Sequence, residues 1–195
     1  MNFSIKAGAP ARQKTACAIL PVFEGKALTG STREIDLTCN GLLTELLKSG
    51  DASAKEGRTL LVPRLQGAAA ERVLLVGCGK QTDFNAKRLR RAMTAVISRL
   101  KDSNLKEATS YLTYTRPRSL DPYYAGRISI ETAQAALYRF NELQNRSGRK
   151  QKLTKLGIAI ADRKESKEYR RGVTDGRAIA IGTELARNLG NRPPN

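Results

Sequence analysis

Residues 71–80 read ERVLLVGCGK. The run Val73-Leu74-Leu75-Val76 is apolar at every position, whereas a strand with one wet face alternates apolar and polar side chains. It therefore predicts a strand buried on both faces, and such a strand needs helices on both sides of its sheet. The sequence downstream supplies the alternation. Residues 85–101, NAKRLRRAMTAVISRLK, place Leu89, Met93, Val96, Ile97 and Leu100 in one helical stripe, with Arg88, Arg90, Arg91 and Arg99 beside it. ATSYLTY (108–114) reads as a strand, Ile130–Leu143 as a helix with Ile130, Ala133, Leu137 and Phe140 inward, and KLGIAIA (155–161) as another strand. Glu165 to Leu189 form a long last helix.

Upstream, FSIKAG (3–8) and TACAILPVF (15–23) read as two strands joined by a turn. LTCNGLLTELLKSG (37–50) is helical, with Leu42, Leu43, Leu46 and Leu47 on its apolar face and Gly50 as its stop. RTLLVPRL (58–65) is a strand that Pro63 confines to an edge or an end. The expectation is an α/β fold, a mixed central sheet covered by helices on both faces. The opening pair of strands, with no helix between them, is the reason for expecting a mixed sheet. No internal repeat is present.

The last helix has two distinct faces. Ala178, Ile181, Gly182, Leu185 and Leu189 share one stripe, and Gly172, Gly176 and Ala180 form a small-residue seam. Glycine inside a helix costs about 1 kcal/mol against alanine. Its repetition points either to another backbone close by or to tight packing on the sheet. Beyond Leu189, Gly190 and Asn191 are helix-stop residues and Pro193-Pro194 forces extended chain. This predicts a domain over residues 1–188 and the start of a linker over 189–195.

The composition limits the chemistry. The chain has 195 residues, with 35 Lys and Arg against 18 Asp and Glu, a formal net charge of +17. Such a balance favours polyanions, nucleic acid or an anionic surface, by long-range attraction. There is no His, which removes the usual general base and the commonest transition-metal ligand. Cys17, Cys39 and Cys78 are widely spaced, with no CxxC pair to begin a zinc set. They read as idle thiols in a reducing, cytoplasmic compartment. No stretch approaches the roughly 20 apolar residues of a membrane span. Asp162, Glu165 and Glu168 are interleaved with Arg163, Lys164 and Lys167, the pattern of a solvated helix start rather than a metal site.

Two candidate binding sites follow from motifs. Gly77-Cys78-Gly79-Lys80 leaves a buried strand and precedes a helix, the place where phosphate loops sit. Gly77, Gly79 and Lys80 are the candidate phosphate-binding residues, although Thr82 stands where a dinucleotide fingerprint has its third Gly. The second candidate is a DNA-binding surface built from Arg116, Arg118, Arg146, Arg149, Lys150, Lys152, Lys155, Arg163 and Lys164. Residues 145–155, NRSGRKQKLTK, carry no acidic residue and suit a phosphate backbone. No signature of a base-reading motif is present.

ELARNLGNRPPN (184–195), preceded by VTDGRAIAIGT (173–183), resembles the helix and linker that join the two domains of the leucyl (cytosol) aminopeptidase family, bacterial peptidase A type. ERVLLVGCGK resembles that family's buried strand and turn. NAKRLRRAMTAVISRLK and AALYRFNELQ (135–144) fit the order expected between them. The resemblance implies a macro-domain-like N-terminal domain, followed in the parent by a separate C-terminal catalytic domain. That domain would hold two divalent metal ions, zinc or manganese, and remove N-terminal amino acids from peptides. It implies a homo-hexamer, and for some bacterial members a second role on double-stranded DNA in transcriptional control and recombination. The family's metal ligands and catalytic residues lie after the linker, so no catalytic or metal-binding residue is expected in this chain. Two alternatives stand beside this reading: a purely architectural domain of the hexamer, and a macro-like module that holds a nucleotide phosphate.

Overall fold

A computed structural model describes residues 1–25, 27–115, 120–140 and 152–193. Its strands are β1 (Asn2–Ala7), β2 (Ala18–Phe23), β3 (Thr59–Pro63), β4 (Arg72–Gly79), β5 (Glu107–Ser110) and β6 (Lys155–Ile160). Its helices are α1 (Gly30–Thr38), α2 (Leu42–Lys48), α3 (Ala86–Leu100), α4 (Pro122–Leu137) and α5 (Ser166–Asn191). The six strands form one sheet in the order β1-β6-β5-β2-β4-β3.

The apolar run of β4 is buried on both faces, as its sequence requires. Leu74, Val76 and Cys78 belong to a core with residues of α3, α4 and β6. Val73 and Leu75 belong to a second core with Ile35 of α1 and Leu43 of α2. In β2, Ile19 faces the first core, while Ala18, Leu20 and Val22 face the second. The alternation is the period of two that a pleated strand imposes. In α3, Leu89, Met93, Val96, Ile97 and Leu100 are fully buried, and the Asn85 side chain caps the helix by accepting from the amides of Lys87 and Arg88.

The sheet is mixed, but for a different reason from the one the sequence suggested. β1 and β2 do not pair. β1 runs parallel to β6 at one edge, and β2 lies between β5 and β4, parallel to both. The single antiparallel neighbour is β3 on β4. Pro63 ends that edge strand, where a missing amide donor does little harm.

Two helices depart from their expected bounds. The segment 37–50 is not one helix: α1 ends at Thr38, Asn40 and Gly41 take φ of 55° and 81°, and α2 starts at Leu42. A left-handed pair stops a helix. The carboxylate of buried Asp36 bridges the break, accepting from the amides of Leu43 (2.8 Å) and Thr44 (3.2 Å) and from the Thr44 hydroxyl (2.6 Å). It replaces the side-chain cap that Gly41 cannot provide. Asp36→Ala is expected to cost about 2–3 kcal/mol by stranding these donors. Thermal denaturation checks this, as a fall in Tm of about 4–12 °C.

The other departure is α4, which begins eight residues earlier than expected. Asp121 caps it, accepting from the Tyr124 amide, and Pro122 opens it, the favoured first-turn position for proline. It ends at Leu137, so Phe140 is half-buried outside the helix.

The small-residue seam of α5 faces a helix backbone, not the sheet. A Cβ at Gly172 would lie 2.0 Å from the Tyr123 carbonyl oxygen of α4, and one at Gly176 would lie 2.7 Å from the Arg127 carbonyl oxygen. Gly126 of α4 reciprocates, with the Tyr169 carbonyl oxygen 2.9 Å from its would-be Cβ. The two helices approach closely because each offers glycine where the other presents backbone.

Candidate functional site

The turn after β4 is already occupied by protein. The Gly77 amide donates to the Arg58 carbonyl at 2.8 Å, the Gly79 amide to the Ala54 carbonyl at 2.8 Å, and the Gly57 amide to the Gly77 carbonyl at 3.0 Å. The Arg88 guanidinium lies against Gly79 and donates to the Lys80 carbonyl at 3.3 Å. It also pairs with Asp83 at 3.3 Å. Both glycines therefore have a packing role, and Lys80 is the exposed member of the trio. With their amides committed, the two glycines offer no free donors to a phosphate.

The basic residues fall in two separate places. Lys152 and Lys155 lie at the edge where the parallel strands begin; Lys152 donates to the Asn104 side chain. Arg163 and Lys164 lie just past the far end of β6, in a turn capped by Asp162, whose carboxylate accepts from the Lys164 amide at 2.8 Å. The six residues of β6 separate the two groups by about 17 Å at roughly 3.3 Å per residue. They do not form one patch. Arg116, Arg118, Arg146, Arg149 and Lys150 lie outside the described residues. Three arginines of α3 are paired within the molecule: Arg88 and Arg91 with Glu56 at 3.8 and 3.0 Å, and Arg90 with Glu131 at 3.6 Å.

The thiols are chemically quiet. Burial pushes the Cys17 and Cys78 thiols up to about 12. Cys39 is also raised, by burial first and then by the Asp36 carboxylate. Among the described residues, no three of His, Cys, Asp and Glu come together in a way that could hold a metal ion. The described residues do not fit a two-metal centre, and no catalytic step is assigned to them. None of the described helices is long and apolar enough to cross a membrane.

Among the described residues, the outer face of α5 has no partner. Ile181, Leu185 and Leu189 are 54%, 58% and 55% exposed, and Ala178 and Gly182 of the same stripe are exposed as well. They lie roughly opposite the Gly172–Gly176–Ala180 seam that packs on α4, at 100° of rotation per residue. Scattered exposed apolar residues are ordinary, but a contiguous apolar row on one helix face marks an interaction surface. Periodicity in the sequence revealed the stripe; it could not reveal that nothing among the described residues covers it.

Known proteins give the lineage of the chain. The family model of the cytosol aminopeptidase family, N-terminal domain, matches residues 19–147. A probable cytosol aminopeptidase of Shewanella denitrificans is 36% identical over all of this chain, which spans 39% of that protein. The corresponding Idiomarina loihiensis protein is 35% identical with the same coverage. Among solved structures, a mutant of tomato leucine aminopeptidase superposes with a TM-score of 0.75 at 19% identity, covering 99% of this chain and 38% of its own. The bottromycin maturation enzyme BotP, in complex with Mn, gives 0.64 at 21% identity, covering 91% of this chain and 32% of its own. These two show the fold, and the sequence matches show the lineage. This chain belongs to the cytosol aminopeptidase family, as its N-terminal domain, and spans 39% of the length of the curated relatives it matches.

Proposed function

We propose that this chain is the non-catalytic N-terminal domain of a metal-dependent leucyl aminopeptidase, cytoplasmic and homo-hexameric. Its catalytic domain would dock on the outer face of α5. The observation that carries this reading is the exposed row of Ile181, Leu185 and Leu189, on the helix that leads out of the fold. Peptide cleavage, and the two metal ions that would activate water for it, belong to that other domain. What the present domain contributes is a rigid platform, because α5 is fastened to α4 along its glycine seam.

The test mixes this chain with the separately expressed remainder of the Shewanella denitrificans relative. A complex is expected, with hydrolysis of leucine p-nitroanilide in the complex and none by this chain alone. Leu185→Asp with Leu189→Asp should weaken the complex at least tenfold, since two well-buried leucines contribute about 3 kcal/mol or more, and should leave the melting temperature unchanged. Equal affinity of the double variant would remove the docking face from this reading. A complex without hydrolysis would remove the peptidase.

Charge placement supports an accessory role on double-stranded DNA. Lys106, Lys152 and Lys155 are exposed together at the edge where β5 and β6 begin. None of the three is paired with a carboxylate among the described residues. Contacts of this kind hold phosphates without reading sequence. Each phosphate neutralised contributes about −0.9 to the slope of log K against log salt. Changing the three lysines to Ala should therefore flatten the slope by about 3 in a fluorescent-duplex titration. Absence of binding at about 50 mM salt, where such contacts are strong, would end this role.

A further inference from the structure

We propose that the groove between α3, α4 and α5 binds a free amino acid with an aliphatic side chain. This inference does not rest on the peptidase reading. The groove holds about 470 Å³, within the roughly 300–1,000 Å³ range of small-molecule sites. α4 supplies the floor; α3 and α5 supply the walls.

Three observations define the ligand. First, Thr132 lines the groove, is 8% exposed, and its hydroxyl has no hydrogen-bond partner among the described residues. A helical hydroxyl normally closes onto the carbonyl four residues back. Ser129 does so with Ala125 at 2.8 Å and Thr183 with Ile179 at 2.9 Å, whereas Thr132 keeps a buried, costly and unused donor.

Second, charged groups of both signs line the groove, Arg90 and Arg187 with Glu131 and Glu184. Arg90 stands on the α3 wall, 3.6 Å from a Glu131 oxygen. The other Glu131 oxygen is held at 2.6 Å by Arg127, so Arg90 has donors to spare. Glu184 stands on the α5 wall and makes no ion pair among the described residues. Third, Ala135, Ile179 and Ala180 line the same groove. A guanidinium, a carboxylate and a hydroxyl around an aliphatic patch match an α-carboxylate, an α-ammonium and an aliphatic side chain.

L-Leucine is the probe. Titrated into the ¹⁵N-labelled chain, it should give saturable amide shifts centred on Thr94, Thr132 and Thr183, with a Kd on the order of 1 mM or tighter. Leucinamide lacks the carboxylate and 4-methylpentanoate lacks the ammonium, so each should bind at least tenfold more weakly. Glu184→Gln should weaken leucine about tenfold without weakening 4-methylpentanoate further. Thr183→Trp, at an exposed helix position, should fill the groove and abolish binding while the chain still melts cooperatively. Shifts that do not saturate or lie elsewhere would overturn the proposal. So would analogues that match leucine, or leucine binding that survives Thr183→Trp in a folded protein. None of these readouts needs the catalytic domain, so failure here leaves the peptidase reading standing, and the converse.

Discussion

Gly172→Ala should lower stability by about 2–4 kcal/mol, a fall in Tm of about 4–16 °C for a chain of this size. A single methyl group has this effect because its carbon would lie 2.0 Å from the Tyr123 carbonyl oxygen and 3.0 Å from the Arg127 amide nitrogen. Both are helix backbone, which cannot turn aside as a flexible side chain can. The helices must separate, and the whole α4–α5 contact loosens. Alanine's better helix propensity offsets about 1 kcal/mol at most. The control is Gly182→Ala on the same helix, where a Cβ meets nothing within 4 Å. That change should stabilise the chain by about 0.5–1 kcal/mol. If both substitutions shift the urea midpoint equally, the seam is not the contact that holds α5 in place.

Gly77→Ala is expected to be comparably severe, at about 2–4 kcal/mol. Its Cβ would lie 2.1 Å from the Lys55 carbonyl oxygen and 2.7 Å from that of Ser53. The loop before β3 would have to leave β4, releasing the bonds from Gly77 to Arg58 and from Gly79 to Ala54. Hydrogen exchange reads this directly, as lost protection of the Gly77 and Gly79 amides. Lys80→Ala, at an exposed position, should change stability by less than about 0.5 kcal/mol. A phosphate site would give the reverse ranking for ligand affinity, with Lys80 the costly loss in a chain whose fold is intact.

What could be read from the sequence depended on how much of the packing signal is local. β4 and α3 were legible because an unbroken apolar run and a 3.6-residue stripe each report burial directly. α1 was not. Its buried positions are Ser31, Thr32, Ile35 and Asp36, mostly polar, and its Leu37 is 71% exposed, so its pattern inverts the expected one. The start of α4 carried a legible signal, Asp121-Pro122, that apolar periodicity alone passes over. Strand order was out of reach, because a strand's own residues do not name its neighbour. Of the candidate site residues, Gly77 and Gly79 stand out in the sequence as a strand-exit turn, and the structure gives each a packing or conformational reason. Gly77 has a loop backbone pressed against it and Gly79 has a φ of +67°, and no spacing rule reveals either. Lys152 and Lys155 are adjacent in both sequence and space, while Arg163 and Lys164 are near them in sequence only.

The pairing of β1 with β6 ties the order of folding to the order of synthesis. Asn2 is matched with Lys155, so β1 has to wait for β6, the last strand of the described sheet in chain order. At about 5–20 residues per second, that interval is roughly 8–30 s. Throughout it, Phe3 and Ile5 have no sheet to join, and the β6 edge does not yet exist. Contacts so distant along the chain form late and slow the final closure. A newborn chain would thus pass through a stage with β2, β4 and β5 assembled and β1 unpaired. β1 is then the segment a chaperone, or the same strand of a neighbouring nascent chain, would meet first.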